Sequence, residues 1–301
     1  MNLLISAACD NLKKHQLKLQ KMGFNIFFLE NEYDALPIDN KLVDVVVCNN
    51  LFSYHDISTF SQLKYIQLTS VGTDRVPLEH IQKNKIILNN AKGVYSVPIS
   101  EYVISGIFFF YKKMNFFIDN KHNKEWIKDR EILELHNKKA MIFGAGNIGE
   151  ECAKKLKAFG CKVFGVDLSN KTSKYFTYIF DVHDFYDELL NDIDIVIVTL
   201  PLTTLTFHFF DSRFFSKMKK NSLFVNVSRG KLVVENDLID ALDKNIGGAI
   251  LDVFDEEPLD KDSPLWKYSN VFITPHNSFV GDGNDRRLSS LIIDNLKDFI
   301  S

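Results

Sequence analysis

The sequence predicts an α/β fold in two domains, each built on a parallel β-sheet covered by helices. Two observations predict it. A chain of 301 residues is long for a single hydrophobic core and suits two domains. In addition, short apolar segments alternate with segments of helical periodicity in two separate series, and this alternation is typical of parallel sheets with helical crossovers.

The first series predicts the smaller domain, with a flavodoxin-like sheet of five strands. Short apolar runs place these strands at residues 2–6, 25–29, 43–48, 65–69 and 86–90. Between the first two strands, one helical pattern runs from Asn11 and stops at Gly23.

One long helix is predicted between the two series, from Pro98 to about Asn120. Ser96 or Ser100 would cap it, and a hinge between the domains is expected here. Its most apolar part, residues 102–111, is about half as long as a bilayer requires, so the sequence predicts a buried helix and no membrane span.

The second series predicts a doubly wound, Rossmann-type domain with six strands. The strands lie in the segments "KKAMIF", "KVFGVD", "IDIVIVTL", "SLFVNV", "GGAILDV" and "NVFITP". A closing helix from about Asp285 to Ser301 is expected to return to the first domain. The predicted domains are therefore residues 1–95 with 278–301, and residues 96–277.

The composition is that of an ordinary globular protein, with 46% hydrophobic and 25% charged residues. The net charge of −3 shows no electrostatic footprint for nucleic acid. The four cysteines form no C-x-x-C pair and no metal-binding spacing. The first residues, "MNLLISAACD", lack the basic segment of a signal peptide, so reduced thiols and a cytoplasmic location are expected.

A glycine-rich loop follows the first strand of the second series, in "FGAGNIG". Gly144 suits a tight turn, Gly146 lets the backbone approach a pyrophosphate, and Gly149 permits close packing of helix on strand. The backbone N–H groups of Asn147 and Ile148 would open the helix and meet the phosphates. The strand before the loop and the helix after it therefore predict a dinucleotide site.

An acidic residue ends the next strand, as this kind of site requires. Asp167 lies eighteen positions after Gly149 (167 − 149), where a carboxylate would accept hydrogen bonds from ribose hydroxyls and repel a 2′-phosphate. The sequence thus favours NAD over NADP. Lys171 lies close enough to leave NADP open as the alternative.

Arg229 occupies an unusual place, directly after the buried strand of "SLFVNVSRGK". A guanidinium is neither neutralised nor cheaply buried, so an anion is expected to meet it there.

Seven segments together resemble one family, the D-isomer-specific 2-hydroxyacid dehydrogenases, over nearly the whole chain. They are "SVGTDRV", "YSVPISEY", "FGAGNIG", "LPLTTLT", "FVNVSRGKLV", "GGAILDVFDEEPL" and "NVFITPH". The order and spacing of the last three are highly specific.

The resemblance implies a catalytic set of Arg229, Glu257 and His276. Arg229 would hold the carboxylate of a 2-oxo acid and polarise its carbonyl through a planar fork. His276 would give a proton in reduction and take one in oxidation. Glu257, with Glu256 as its rival, would orient the imidazole and favour its charged form.

The same resemblance implies further contacts around the reacting groups. Backbone N–H groups near Val71 and Gly72 would complete the cradle for the substrate carboxylate. The cofactor would be met by Leu200, Pro201, Thr203, Val227 and, at the nicotinamide carboxamide, Asp252.

The substrate is expected to be an unphosphorylated 2-oxo acid with a small to medium apolar side chain. The loop "NNLFSYHD" is the predicted pocket wall and offers Leu51, Phe52 and Tyr54 in place of arginine. The residues most able to overturn this expectation are Arg75, Arg286 and Arg287.

The preferred interpretation is an NAD-dependent reductase of small 2-oxo acids, with a homodimer expected through the helix at residues 98–120. Two alternatives remain open at this point. One is an NADH-sensing regulatory protein of the same fold, and the other is a phosphoglycerate- or hydroxypyruvate-type dehydrogenase.

Overall fold

A computed structural model describes residues 1–73, 75–168 and 171–301, arranged in two compact units. Unit 1 comprises Met1–Tyr95 and Gly281–Ser301, and unit 2 comprises Ser96–Val280. In the sequence prediction, the chain passes from one domain to the other after residues 95 and 277. In the structure, it passes from one unit to the other after residues 95 and 280. The roles of the two domains in binding substrate and nucleotide stay predictions.

Unit 1 is built on a parallel sheet of five strands, the number predicted from the sequence. The strands are β1 (Asn2–Ile5), β2 (Asn25–Phe28), β3 (Val45–Cys48), β4 (Tyr65–Leu68) and β5 (Ile87–Asn89). Their order is β2-β1-β3-β4-β5, which is the flavodoxin-like arrangement. Both central strands β3 and β4 are fully buried, because helices and loops cover the two faces of the sheet.

The helices of unit 1 are α1 (Cys9–Lys13), α2 (Gln16–Lys21), α3 (Leu78–Lys83) and α9 (Asn284–Ile300). The single helix predicted between β1 and β2 is wrong, since Lys14 and His15 separate α1 from α2. Leu12 and Leu19 are buried seven positions apart, but His15 and Gln16, which would lie between them on one helix face, are polar and exposed, so no continuous apolar stripe holds one straight helix.

The closing helix α9 packs against the core of unit 1. Its buried side chains are Leu288, Ile292, Ile293 and Leu296, which belong to one hydrophobic cluster with Leu3, Ile5, Val45 and Val47. Their spacing of three to four residues forms the apolar face of an amphipathic helix.

Unit 2 is built on a parallel sheet of seven strands. They are β6 (Lys139–Phe143), β7 (Lys162–Asp167), β8 (Tyr178–Asp181), β9 (Ile195–Val198), β10 (Leu223–Asn226), β11 (Gly248–Leu251) and β12 (Val271–Ile273). The order β12-β11-β10-β9-β6-β7-β8 is doubly wound, with its switch point between β9 and β6. The α/β prediction is confirmed, whereas the count of six strands is wrong because edge strand β8 was missed.

The helices of unit 2 are α4 (Ser96–Tyr111), α5 (Met114–Asn123), α6 (Asn147–Ala158), α7 (Ser212–Lys217) and α8 (Glu235–Lys244). The single helix predicted for residues 98–120 is wrong, because Lys113 adopts a left-handed conformation with φ 49° and separates α4 from α5. Among the residues described, none of the helices combines the length and apolarity needed to cross a bilayer.

Candidate functional site

The glycine loop between β6 and α6 has the backbone that its sequence predicts. Gly144 has φ +100°, and a Cβ there would lie 2.9 Å from the carbonyl carbon of Thr199. A Cβ on Gly149 would lie 2.0 Å from the carbonyl oxygen of Gly144. These two positions therefore require glycine, the first for the turn and the second for close packing of α6.

Gly146 differs from its neighbours, because a Cβ at this position would meet no atom within 4 Å. It is the N-cap of α6 and makes no side-chain capping bond. Asn147 is exposed and Ile148 is half-buried in this first turn, where helix N–H groups lack intrahelical partners at the positive end of the helix dipole. A bound pyrophosphate would find room and donors here.

Asp167, at the end of β7, is joined to this loop by hydrogen bonds. Its carboxylate accepts from the N–H of Ala145 and from that of Leu168, both at 2.8 Å. Lys171 Nζ lies 3.2 Å from Oδ1 of the same carboxylate. The predicted contact with a ribose remains untested, but the carboxylate lies beside the loop as that contact requires.

The segments after β9 and β10 border the switch point of the sheet. Leu200, Pro201 and Thr203 follow β9, which pairs directly with β6 and so lies beside the glycine loop. The hydroxyl of Ser228 donates to the carbonyl oxygen of Leu200 and ties the two segments together. Val227, which precedes Ser228, is buried.

Arg229, Glu257 and His276 follow three consecutive strands of the sheet. β10, β11 and β12 are adjacent and parallel, so the loops that leave their carboxyl ends emerge at one edge. That is also the edge at which β6 and β7 deliver the glycine loop and Asp167. The topology thus brings the predicted catalytic and cofactor residues of unit 2 to the same side of the sheet.

The side chains of His276 and Glu257 are joined by a hydrogen bond. His276 Nδ1 lies 2.8 Å from Glu257 Oε2, while Glu257 Oε1 accepts the N–H of Phe254 at 3.1 Å. An ionised carboxylate only accepts hydrogen bonds, so Nδ1 carries a proton and Nε2 is the atom available for proton exchange. Both side chains are partly exposed, at 40% and 37%.

Arg229 is half-buried at the start of the turn after β10. Arg229 Nη1 donates to the carbonyl oxygen of Ser228 at 2.8 Å. The side-chain amide of Asn226 donates to the carbonyl oxygen of Arg229 at 3.0 Å. A Cβ on Gly230 would lie 1.8 Å from the carbonyl carbon of Phe254. The Arg229 loop is therefore packed directly on the loop that leads to Glu257, a contact that sequence reasoning missed.

Asp252 is completely buried at the end of β11. Its carboxylate accepts the N–H of Asn277 at 2.7 Å, the N–H of Ser278 at 2.9 Å and the hydroxyl of Thr274 at 2.5 Å. The structure thus places Asp252 under the turn that carries His276. Its predicted contact with a nicotinamide carboxamide remains untested.

In unit 1, the predicted carboxylate cradle lies in the loop after β4. Asn90 Nδ2 donates to the carbonyl of Val71 at 2.7 Å, and the Ser70 hydroxyl donates to that of Gly72 at 3.0 Å. Within the described ranges, the N–H groups of Val71 and Gly72 donate to no other protein group. Two fixed donors are therefore available for an anion, while Asp74 of the same motif lies outside the described residues.

The predicted pocket wall after β3 needs correction. Leu51 is completely buried, and Phe52 packs edge to face on Phe60 with ring centroids 5.6 Å apart. Only Tyr54 of the three predicted residues is exposed. The apolar run in this loop fills the core of unit 1, which a sequence cannot distinguish from a pocket wall.

Glu32 organises the same loop and was missed by sequence reasoning. Its carboxylate accepts the N–H groups of Asn49 at 2.7 Å and Asn50 at 2.6 Å, together with the Ser6 hydroxyl at 2.9 Å. These groups follow β2, β3 and β1, so one carboxylate ties the carboxyl ends of three strands.

Three arginines were expected to bear on the substrate. Arg75 Nη1 lies 3.4 Å from Asn49 Oδ1. Arg287 Nε donates to the Val94 carbonyl at 2.8 Å. Together with Arg286 and Lys92, Arg287 lines an open cavity of about 360 Å³ within unit 1.

Comparison with known proteins places the chain in a family. Residues 104–278 match the model of the D-isomer specific 2-hydroxyacid dehydrogenase NAD binding domain. The chain belongs to this family of oxidoreductases, as its motifs predict.

Individual relatives agree with this assignment. A probable 2-ketogluconate reductase of Dictyostelium discoideum is 31% identical over 273 residues, covering 86% of this chain and 80% of that protein. A D-isomer specific 2-hydroxyacid dehydrogenase family protein from Aeromonas salmonicida superposes with TM-score 0.80 at 27% identity, covering 99% and 95% of the two chains. A probable 2-hydroxyacid dehydrogenase from Rhizobium etli, solved with NADP, HEPES and L(+)-tartaric acid, gives TM-score 0.79 at 25% identity, covering 99% and 94%.

Proposed function

We propose that the protein is an NAD-dependent dehydrogenase that reduces a small 2-oxo acid to a D-2-hydroxy acid, in a reversible reaction. The observation that carries this proposal is the hydrogen-bonded pair of His276 and Glu257, which lies at the sheet edge shared with Arg229 and the glycine loop. A proton donor, a carboxylate-binding cation and a nucleotide loop are the three parts that this reduction needs.

The proposed proton route runs through the imidazole. Reduction converts a 2-oxo acid, a hydride and a proton into a 2-hydroxy acid, and bound NADH would supply the hydride to the carbonyl carbon. His276 gives the proton from Nε2 to the carbonyl oxygen as negative charge develops there. Glu257 keeps Nδ1 protonated and the ring fixed, so the imidazole returns to the same orientation after each transfer.

Arg229 is proposed to bind the substrate carboxylate and to polarise the neighbouring carbonyl. Its planar guanidinium offers paired N–H donors that match a carboxylate. In unit 1, the N–H groups of Val71 and Gly72, which donate to no protein group among the described residues, are proposed as donors that can bind a carboxylate.

For the cofactor, we propose NAD as the preferred nucleotide, held by Gly144, Gly146, Gly149 and the first turn of α6. Asp167 supports this preference, since its carboxylate would repel a 2′-phosphate. Lys171, 3.2 Å from that carboxylate, and the NADP bound to the relative from Rhizobium etli favour NADP as the alternative. Exchange of Asp167 for serine is expected to raise NADPH use relative to NADH.

The proposed substrate is unphosphorylated, because Tyr54 is the exposed side chain of the predicted wall and the loop after β3, residues 49–56, contains neither lysine nor arginine. The cavity lined by Lys92, Arg286 and Arg287 favours the alternative of a phosphorylated acid such as phosphohydroxypyruvate. A clear preference for phosphohydroxypyruvate over pyruvate, glyoxylate and hydroxypyruvate would select that alternative.

A cytoplasmic homodimer is proposed as the functional state. Met114 and Ile118 of α5 are exposed apolar side chains on the segment where pairing was expected from the sequence. Sedimentation equilibrium tests this proposal, with twice the chain mass of 34.7 kDa expected. A mass of 34.7 kDa at micromolar concentration would contradict it.

The proposed function is tested by measuring NADH oxidation with a panel of 2-oxo acids, with NADPH as the matched control. Turnover with at least one unphosphorylated 2-oxo acid, faster with NADH than with NADPH, is the expected result. Tight NADH binding without turnover of any panel member would instead favour the NADH-sensing protein of the same fold.

A further inference from the structure

A chain of partly buried hydroxyl groups links helix α4 to the turn that carries His276. Tyr102 Oη lies 2.6 Å from Thr274 Oγ1, and Thr274 Oγ1 lies 2.5 Å from Asp252 Oδ1. An ionised carboxylate only accepts, so Thr274 donates to Asp252 and its oxygen accepts from Tyr102. The chain therefore has one direction, from Tyr102 through Thr274 to Asp252.

Asp252 passes this restraint to the turn after β12. Besides its two carboxylate bonds to the N–H groups of Asn277 and Ser278, its carbonyl oxygen accepts the N–H of His276 at 2.8 Å. Residues on both sides of the imidazole are thus anchored to one buried residue.

The backbone of His276 needs such anchoring. It has φ 50°, in the left-handed region that non-glycine residues rarely occupy. A conformation of this kind persists where surrounding hydrogen bonds over-determine it. Loss of a bond to Asp252 would therefore let the turn relax and move the imidazole away from Glu257.

The surroundings of Tyr102 keep its hydroxyl protonated and hold its ring in position. Burial raises the pKa of its hydroxyl to about 12, so it stays a donor at neutral pH. Its ring stacks on Phe272 of β12, with centroids 6.2 Å apart and an interplanar angle of 22°. Removal of the hydroxyl alone, in Tyr102→Phe, would leave this stacking in place.

We propose that Tyr102 and Thr274 are positioning residues for His276, which they hold through Asp252 in the orientation needed for proton transfer. This inference rests on the proposed function. Neither side chain needs to touch the substrate, because both act on the His276 turn through the carboxylate of Asp252.

The test compares Thr274→Val, which replaces the hydroxyl by a methyl group of similar size, with Thr274→Ser, which retains the hydroxyl. In Thr274→Val and Tyr102→Phe, kcat for the best 2-oxo acid is expected to fall about tenfold with KM for NADH unchanged, since a small misplacement of the imidazole slows proton transfer. Thr274→Ser is expected to stay within about twofold of the wild type. Tyr111→Phe, which removes another buried hydroxyl from α4, is the matched control and should keep full activity.

Amide hydrogen exchange gives a readout that does not depend on catalysis. The amides of Asn277 and Ser278 should lose protection in Thr274→Val and in Tyr102→Phe, and should keep it in Thr274→Ser. If no 2-oxo acid is reduced by the wild type, the proposed function fails, whereas this exchange pattern still tests the anchoring. Unchanged kcat and unchanged protection in Tyr102→Phe, in a protein with native circular dichroism, would overturn the proposal.

Discussion

His276 and Glu257 leave different strands, yet Nδ1 of the one lies 2.8 Å from Oε2 of the other. The second oxygen of Glu257 is held by the N–H of Phe254, so the carboxylate is oriented before any substrate arrives. Because Nδ1 faces Glu257, Nε2 is the ring nitrogen that would exchange protons with a substrate in the proposed mechanism.

Exchange of Glu257 for glutamine should slow 2-oxo acid reduction by about 10²-fold. The side chain that faces His276 Nδ1 then keeps its shape but loses its negative charge. Steady-state kinetics with NADH measures the effect. Glu256→Gln is the matched control, since Glu256 is an exposed neighbour in the same acidic run, and it should retain wild-type kcat. A larger loss of kcat in Glu256→Gln than in Glu257→Gln would show that the role belongs to Glu256 and would contradict its assignment to Glu257.

Arg229→Lys should lower kcat/KM for the 2-oxo acid by about 10²-fold, because an ammonium group supplies charge without two parallel hydrogen bonds. The dissociation constant of NADH should remain unchanged. Arg213→Lys provides the control, since Arg213 is largely exposed and pairs with Asp211 on the surface. Equal kinetics for the two variants would remove Arg229 from the substrate site.

Two glycines of the nucleotide loop should respond differently to alanine. Gly146→Ala should fold normally, because its Cβ meets no atom within 4 Å, but should bind NADH at least about tenfold more weakly. Gly149→Ala should lower the melting temperature, since its Cβ would lie 2.0 Å from the Gly144 carbonyl oxygen. Calorimetry for stability and titration for NADH separate the two effects, and unchanged NADH binding in Gly146→Ala would contradict the loop's assignment.

The buried thiols should make the protein less stable at alkaline pH. Burial raises the pKa of Cys152 from 9.0 to about 12 and that of Cys161 from 9.0 to about 11. The folded state therefore keeps protons that the unfolded state releases, so the free energy of unfolding falls as pH rises above 9.0 toward 11. Urea unfolding at pH 8 and pH 10 measures this fall, and Cys152→Ala should reduce its slope. If the free energy of unfolding falls equally with pH in Cys152→Ala and in the wild type, the Cys152 thiol does not contribute to the fall.

Much of the fold could be predicted because buried parallel strands appear as short apolar runs. Edge strand β8 escaped prediction because its apolar run, residues 178–180, is only three residues long and is too short to show a clear period. The helix break at Lys113 also escaped, because neither glycine nor proline marks it in the sequence.

The site could be predicted only where a local motif carries the signal. Gly144, Gly146 and Gly149 show their roles through spacing alone, and the backbone agrees with those roles. The buried position of Asp252 and the contact of Gly230 with Phe254 depend on which loops meet in space. A sequence gives no distance between loops that are twenty or more residues apart, so these relationships required the structure.

The most direct test of the proposed mechanism is the single-turnover rate of NADH oxidation by excess enzyme with the best 2-oxo acid, in the wild type and in His276→Ala. We predict a loss of about 10²–10⁴-fold in the variant, with NADH binding retained, because the carbonyl oxygen loses its proton donor. An equal rate in the two proteins would contradict the assignment of His276 and, with it, the proposed mechanism.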